Sequence, residues 1–191
     1  RGILPPEIEG KVEGRLFSDE RTLARWRNSQ VGARYFDQEL GALLYGALDD
    51  CLVDGDYLIP VDYKTRGYAL KKESSSYYQH QLDIYCFLLK KEGYKVRDYA
   101  YLVYYIPTKA AENGVIHFHV QLEKADTDPC RGYELFCSAV KVLKGPEPEP
   151  EKNCEYCNWG SKAFARRRAQ SDNAVMGGEE VRASAVQDRL F

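Results

Sequence analysis

Two aspartates and a lysine have the types and spacing to do chemistry. Asp49 closes the run Gly46-Ala47-Leu48-Asp49. Asp62 and Lys64 stand in Leu58-Ile59-Pro60-Val61-Asp62-Tyr63-Lys64. Acids and amines in an otherwise apolar strand are rarely decorative, because burying them costs free energy. Side chains alternate along a strand, so Asp62 and Lys64 share a face. Whether Asp49 joins them depends on the connection at Asp54-Gly55, a strong hairpin signal. If those two residues form the turn, Asp49 lies opposite Pro60 and diagonal to Asp62, roughly 7–8 Å away at Cα. A four-residue loop puts Asp49 directly opposite Asp62, and a three-residue loop breaks the arrangement. Two buried carboxylates facing each other repel unless a cation intervenes. Their hard oxygens select magnesium or manganese over zinc. Such an ion activates a water, orients a phosphate and stabilises developing charge. Lys64 would orient the attacking water or steady the transition state. This chemistry suits phosphodiester hydrolysis. The blander reading is that Asp49 and Asp50 are solvated strand-end acids and Lys64 an exposed lysine, and on spacing alone it is the commoner one. Pro60 donates no hydrogen bond, so its strand needs an edge or a bulge there.

The elements that must position these residues follow from periodicity. Residues 1–40 are charged and loosely periodic, with Leu16, Leu23 and Trp26 on one helix face and Ser18 or Asp19 as a cap. Residues 43–53 and 57–65 read as the two hairpin strands. Residues 66–75 form a polar loop whose Lys71 and Lys72 adjoin the site and are candidate phosphate contacts. Residues 76–92 read as a helix with Tyr78, Leu82, Tyr85 and Leu89 on one face and Gly93 as its stop. Residues 97–106 are apolar or aromatic on both faces, as in a central strand, with Pro107 ending it. A strand at 115–122 follows Asn113-Gly114, and a helix at 131–143 carries Tyr133, Phe136, Cys137, Val140 and Leu143. The order predicts an α/β domain, a single layer of mixed sheet with helices against it.

Composition bounds the rest. The 191 residues are 44% hydrophobic and 13% aromatic, enough for one domain with a core plus a tail. A net charge of −2 means that any nucleic-acid-binding surface is local. Arg166, Arg167 and Arg168, with Lys162, are one basic run, more often a solvated patch than a phosphate grip. The stretch Gly145-Pro146-Glu147-Pro148-Glu149-Pro150-Glu151 reads as a stiff linker. The expected division is a domain over 1–144, a linker over 145–153, and a Cys-x-x-Cys segment with a basic, polar tail over 154–191. The chain opens at Arg1 without a methionine, which suggests a fragment with part of the N-terminal element missing. No secretory or membrane-spanning run is visible, so a cytoplasmic protein with reduced thiols is expected. Cys154 and Cys157 have the spacing of half a zinc site, with Cys130 and Cys137 to complete it. The Cys130–Cys137 spacing is not that of a usual knuckle, and free thiols, with Cys51 and Cys86 as small core residues, are the ordinary reading. His117 and His119 share a strand face with no third ligand at a fixed spacing.

Taken in order, Gly46-Ala47-Leu48-Asp49, then Asp62-Tyr63-Lys64, then Gln81 with Tyr85 resembles the RecB-like branch of the PD-(D/E)xK nucleases, which includes the CRISPR-associated exonucleases. The resemblance covers roughly residues 43–106. It implies a restriction-endonuclease-like core, a mixed central sheet flanked by helices, and metal-dependent hydrolysis of DNA by an exonuclease in repair or defence. Asp49 and Asp62 would hold the ion with the Tyr63 backbone carbonyl as third ligand. Lys64 would be catalytic, and Gln81 and Tyr85, one helical turn apart, would face the substrate strand. From periodicity alone Tyr85 is nearly as well explained as a core tyrosine. Many relatives carry a histidine ligand upstream of the first aspartate; here no histidine precedes His80, and Glu39 or another N-terminal acid would have to substitute. An iron–sulfur cluster is not expected, because Ala163 stands where a third cysteine belongs and no cysteine precedes Cys51. The competing expectation is a non-catalytic nucleic-acid-binding or assembly subunit that keeps the fold.

Overall fold

The computed structural model describes residues 3–70 and 74–161. The chain divides into two compact units, Arg1–Gly145 and Pro146–Phe191. The first unit opens with a short strand β1 (Arg15–Leu16) and a helix α1 (Glu20–Trp26). Asp19 caps α1, accepting from the Arg21 amide at 3.1 Å. Leu23 and Trp26 are buried from this helix, whereas Leu16, expected on the same helix face, belongs to β1.

The predicted strand 43–53 is two strands. β2 (Ala33–Asp37) and β3 (Ala42–Gly46) form a separate two-stranded sheet. β4 (Asp50–Asp54) and β5 (Tyr57–Thr65) form the hairpin. Its last pair is Asp54↔Tyr57, so the turn is Gly55-Asp56 and not Asp54-Gly55. Gly55 takes a φ of 58°, which an L side chain rarely adopts.

A 3-10 turn over Ser74–Tyr78 leads into α2 (Gln79–Lys91), which Gly93 ends at a φ of 94°. β6 (Lys95–Val96) and β7 (Tyr99–Ala110) follow, then β8 (Ile116–Asp126) and α3 (Pro129–Lys144), capped by Asp128. The main sheet has six strands, ordered β1-β4-β5-β7-β8, with β6 also on β5. β4–β5 and β7–β8 are antiparallel, and β5–β7 is parallel with α2 in the crossover. Both prolines sit where the ladder is interrupted. β6 pairs Tyr57 and Leu58 of β5 and β7 resumes at Val61, so Pro60 falls between. β7 runs past Pro107, where its register with β8 shifts.

Alternation along β5 divides the core. Leu58 packs with Trp26, Leu82, Leu88 and Leu102 on the helix-covered face. Ile59 and Val61 pack with Ile8, Leu52, Tyr101 and Val103 on the other. Glu13 fastens the N-terminal segment to that second face by accepting from the hydroxyls of Tyr99 and Tyr101. The two long helices touch at Gly132, where an added Cβ would lie 2.6 Å from the Asp83 carbonyl oxygen. The arrangement is the mixed α/β sheet flanked by helices of a restriction-endonuclease-like fold. Among the described residues no helix is long and apolar enough to cross a membrane.

Candidate active site

β5 carries Asp62 on the face that α2 covers, and the helix meets it with Gln81. Asp62 is 1% exposed. Its Oδ1 accepts from Gln81 Nε2 at 3.1 Å, and Lys64 forms an ion pair with Oδ2. The Lys64 ammonium also donates to Gln81 Oε1 at 3.2 Å and lies 4.8 Å from the centre of the Tyr78 ring. Gln81 Nε2 makes a second bond to the Tyr85 hydroxyl. One amide therefore fixes the acid, the lysine and the tyrosine together. The i, i+4 spacing of Gln81 and Tyr85 allows this.

Asp49 enters from the end of β4. The β4–β5 register runs to Asp50↔Val61, and one residue further it sets Asp49 opposite Asp62. Directly opposed residues share a face, so Asp49, Asp62 and Lys64 do as well. At this point the ladder opens. The next hydrogen-bonded rung would join Leu48 to Tyr63, but the Leu48 amide donates to the Trp26 carbonyl at 3.0 Å. The Tyr63 amide turns to the Asp49 carboxylate, also at 3.0 Å. The Tyr63 carbonyl, on the same strand edge as its amide, is thus left without the Leu48 donor.

Arg27 holds the opening. Its Nε donates to the Asp49 carbonyl at 2.7 Å, and its Nη2 reaches Asp50 Oδ2 at 2.9 Å. Asp50 lies on the opposite face of the sheet from Asp49. Nothing in the local sequence around Arg27 flagged this role; its only sequence signal is its place at the end of an amphipathic helix.

The electrostatics suit a cation. Burial pushes the Asp62 carboxyl above its ordinary range; Lys64 and Gln81 pull it down, and the Asp49 charge pushes it further up. The buried Oδ2 has the Lys64 ammonium beside it and no other donor among the described residues. A buried carboxylate costs several kcal/mol to desolvate, which one partly exposed lysine offsets incompletely. Two carboxylates and the Tyr63 carbonyl are hard oxygen donors, the set that fits magnesium or manganese. Burial holds the Tyr85 hydroxyl up to about 12, so it is neutral near pH 7.

The family model of the PD-(D/E)XK nuclease superfamily matches residues 6–161. The chain belongs to that superfamily. Its members are generally nucleases and typically use divalent metals such as magnesium or manganese. The match continues past the Pro/Glu stretch and takes in Cys154 and Cys157. Neither comparison with curated proteins nor comparison with solved structures gives a match.

Several expected contributors do not join Asp49 and Asp62. Among the described residues no third His, Cys, Asp or Glu completes a metal-binding group. Glu39 is exposed in the β2–β3 turn, and His80, His117 and His119 are exposed elsewhere. All six thiols are free, with Cys51 and Cys86 buried. Cys154 Sγ accepts from the Cys157 amide at 3.4 Å, at the start of a helix in the second unit. Lys71 and Lys72, and the basic run Arg166–Arg168 with Lys162, lie outside the described residues.

Proposed function

We propose that this chain is a divalent-metal-dependent deoxyribonuclease of the RecB-like branch, removing nucleotides from DNA ends. The observation that carries the reading is the buried, incompletely partnered Asp62 facing Asp49, Lys64 and Gln81 where the β4–β5 ladder opens. Asp49, Asp62 and the Tyr63 carbonyl would hold magnesium or manganese. When bound, the ion supplies water activation and charge neutralisation at the scissile phosphate. Lys64 orients the attacking water and stabilises the developing charge. Gln81 sets the direction of both Asp62 and Lys64, and Tyr85 keeps the amide of Gln81 in place. Residues 1–144 form the nuclease domain and 145–153 a spacer before the cysteine segment.

A second reading has one observation in its favour. The described residues offer two acids and no third His, Cys, Asp or Glu, as a nucleic-acid-binding subunit without catalysis would. The test is degradation of end-labelled linear DNA, single- and double-stranded, beside a covalently closed circle. Each is incubated with manganese, magnesium or chelator, with Asp62→Ala alongside. The nuclease reading expects metal-dependent loss of the linear strands, an intact circle, and no loss with Asp62→Ala. Equal rates in parent and variant, or no hydrolysis with either metal, would overturn it and favour the binding subunit.

A further inference from the structure

Beyond Lys64 the same strand face continues into an aromatic cleft. Arg66 follows Lys64 by two residues and keeps the strand geometry, its amide bonding the Tyr105 carbonyl at 3.1 Å. Arg66, Tyr68, Ser74, Tyr77 and Tyr78 line a cleft of about 440 Å³, within the range of ligand pockets. Tyr78 ties the cleft to the site, since the Lys64 ammonium lies over its ring at 4.8 Å. The ring of Tyr78 is braced from behind by the buried Tyr104, 6.2 Å away between centroids.

Two features of the cleft ask for a ligand. Tyr77 and Tyr68 are 76% and 62% exposed, two large rings left open to solvent on the wall of one cleft. The Arg66 guanidinium lies 4.5 Å from the centre of the Tyr68 ring and bonds the Tyr68 side chain, while its Nη1 is buried with no hydrogen-bond acceptor among the described residues. A buried donor of this kind is costly until an acceptor arrives. Exposed rings next to an arginine fit a nucleobase on the ring face and a phosphate oxygen on the guanidinium. In a duplex the base faces are already stacked, so only an unpaired strand can use such rings.

We infer that the cleft of Arg66, Tyr68, Tyr77 and Tyr78 binds an unpaired segment of the DNA strand that leads into Asp62 and Lys64. Tyr77 stacks on a base and Arg66 contacts a phosphate. The inference rests on the nuclease reading for the direction in which the strand runs.

Fluorescence anisotropy of the full chain in chelator, with a labelled single-stranded oligonucleotide and a blunt duplex of the same sequence, tests it. Tyr77→Ala is expected to weaken single-strand binding about tenfold, as loss of one stacked base does. Tyr77→Phe keeps the ring and stays within about twofold of the parent, and neither variant shifts duplex binding. Arg66→Gln lowers the slope of log affinity against log salt by about one for the single strand. Tyr77 is on the surface, so its variants fold, and a thermal melt verifies Arg66→Gln. The inference is overturned if the parent does not bind the single strand. It is equally overturned if Tyr77→Ala binds like the parent, if Tyr77→Phe loses as much as Tyr77→Ala, or if the duplex loses as much as the single strand. Binding that follows the expected pattern in a chain that never hydrolyses DNA would leave the cleft standing and remove the catalytic reading. Hydrolysis with unchanged binding by Tyr77→Ala would do the reverse.

Discussion

Asp62 on β5 and Asp83 on α2 are both shut away from solvent, at 1% and 0% exposure, and their partners differ in kind. Asp83 receives Arg131 through Nε at 2.5 Å and Nη2 at 2.8 Å, the Gln79 amide at 3.0 Å and the Asp128 backbone amide at 2.9 Å. These four bonds pin α2 to the start of α3 and give each carboxylate oxygen a donor. Asp62 has one amide bond and one lysine, faces a second acid, and is pushed toward its protonated form. A saturated buried acid is a structural fastening; an unsaturated one beside another carboxylate is a place for a cation. Depth of burial alone does not separate the two.

Exchanging each acid should therefore produce opposite phenotypes. Asp62→Ala is expected to lower the rate of DNA hydrolysis by about three orders of magnitude or more, the scale of metal-assisted charge stabilisation. Its melting temperature should stay level or rise. Asp62→Ala that melts lower than the parent and keeps its hydrolysis would break the comparison. Asp83→Ala is expected to cost about 3 kcal/mol of stability, the low end for a broken buried pair because Arg131 itself reaches solvent. In a chain of this length that is a fall of roughly 6–12 °C in thermal melts. Hydrolysis per folded molecule, measured well below the melt, should be unchanged.

Smaller effects sharpen the same contrast. Gln81→Ala removes the group that holds Asp62 and Lys64 together, and should raise the manganese needed for half-maximal hydrolysis about 10- to 100-fold. The smallest effect is on stability against pH in chelator. The folded-state value of Asp62 lies above the ordinary 3.8. Its favourable contribution is therefore complete below that ordinary value and is lost as pH rises through the folded-state value. Asp62→Asn should melt slightly above the parent at neutral pH, and the gap should close in acid. Added manganese should close the neutral-pH gap by raising the parent alone. Asp83→Asn should melt lower than the parent in both conditions, since it weakens the pairing with Arg131.

Local periodicity carries much of this molecule. The alternation in Leu58–Lys64 places Asp62 and Lys64 on one face. The i, i+4 pair in α2 brings Gln81 and Tyr85 together, and the two-sided apolar pattern of 99–106 marks the central strand β7. Even the parity of the hairpin was open to reasoning, since loops of even length keep Asp49 on the face of Asp62, and the observed register is the one that sets them opposite. Strand and helix faces are properties of consecutive residues, so the chain by itself determines them. Other features depended on partners far along the chain. The strand predicted over 43–53 breaks because the Leu48 amide finds the Trp26 carbonyl and Arg27 grips the Asp49 carbonyl, a contact 22 residues distant in sequence. Pro107 fails to end β7 because β8 absorbs it in a register shift. That Asp83 is satisfied and Asp62 is not follows from where Arg131 and Lys64 come to rest. The sequence alone determined which side chains share a face; only the tertiary structure decided which of them would be left wanting a partner, because hydrogen-bond saturation is settled between elements and not along them.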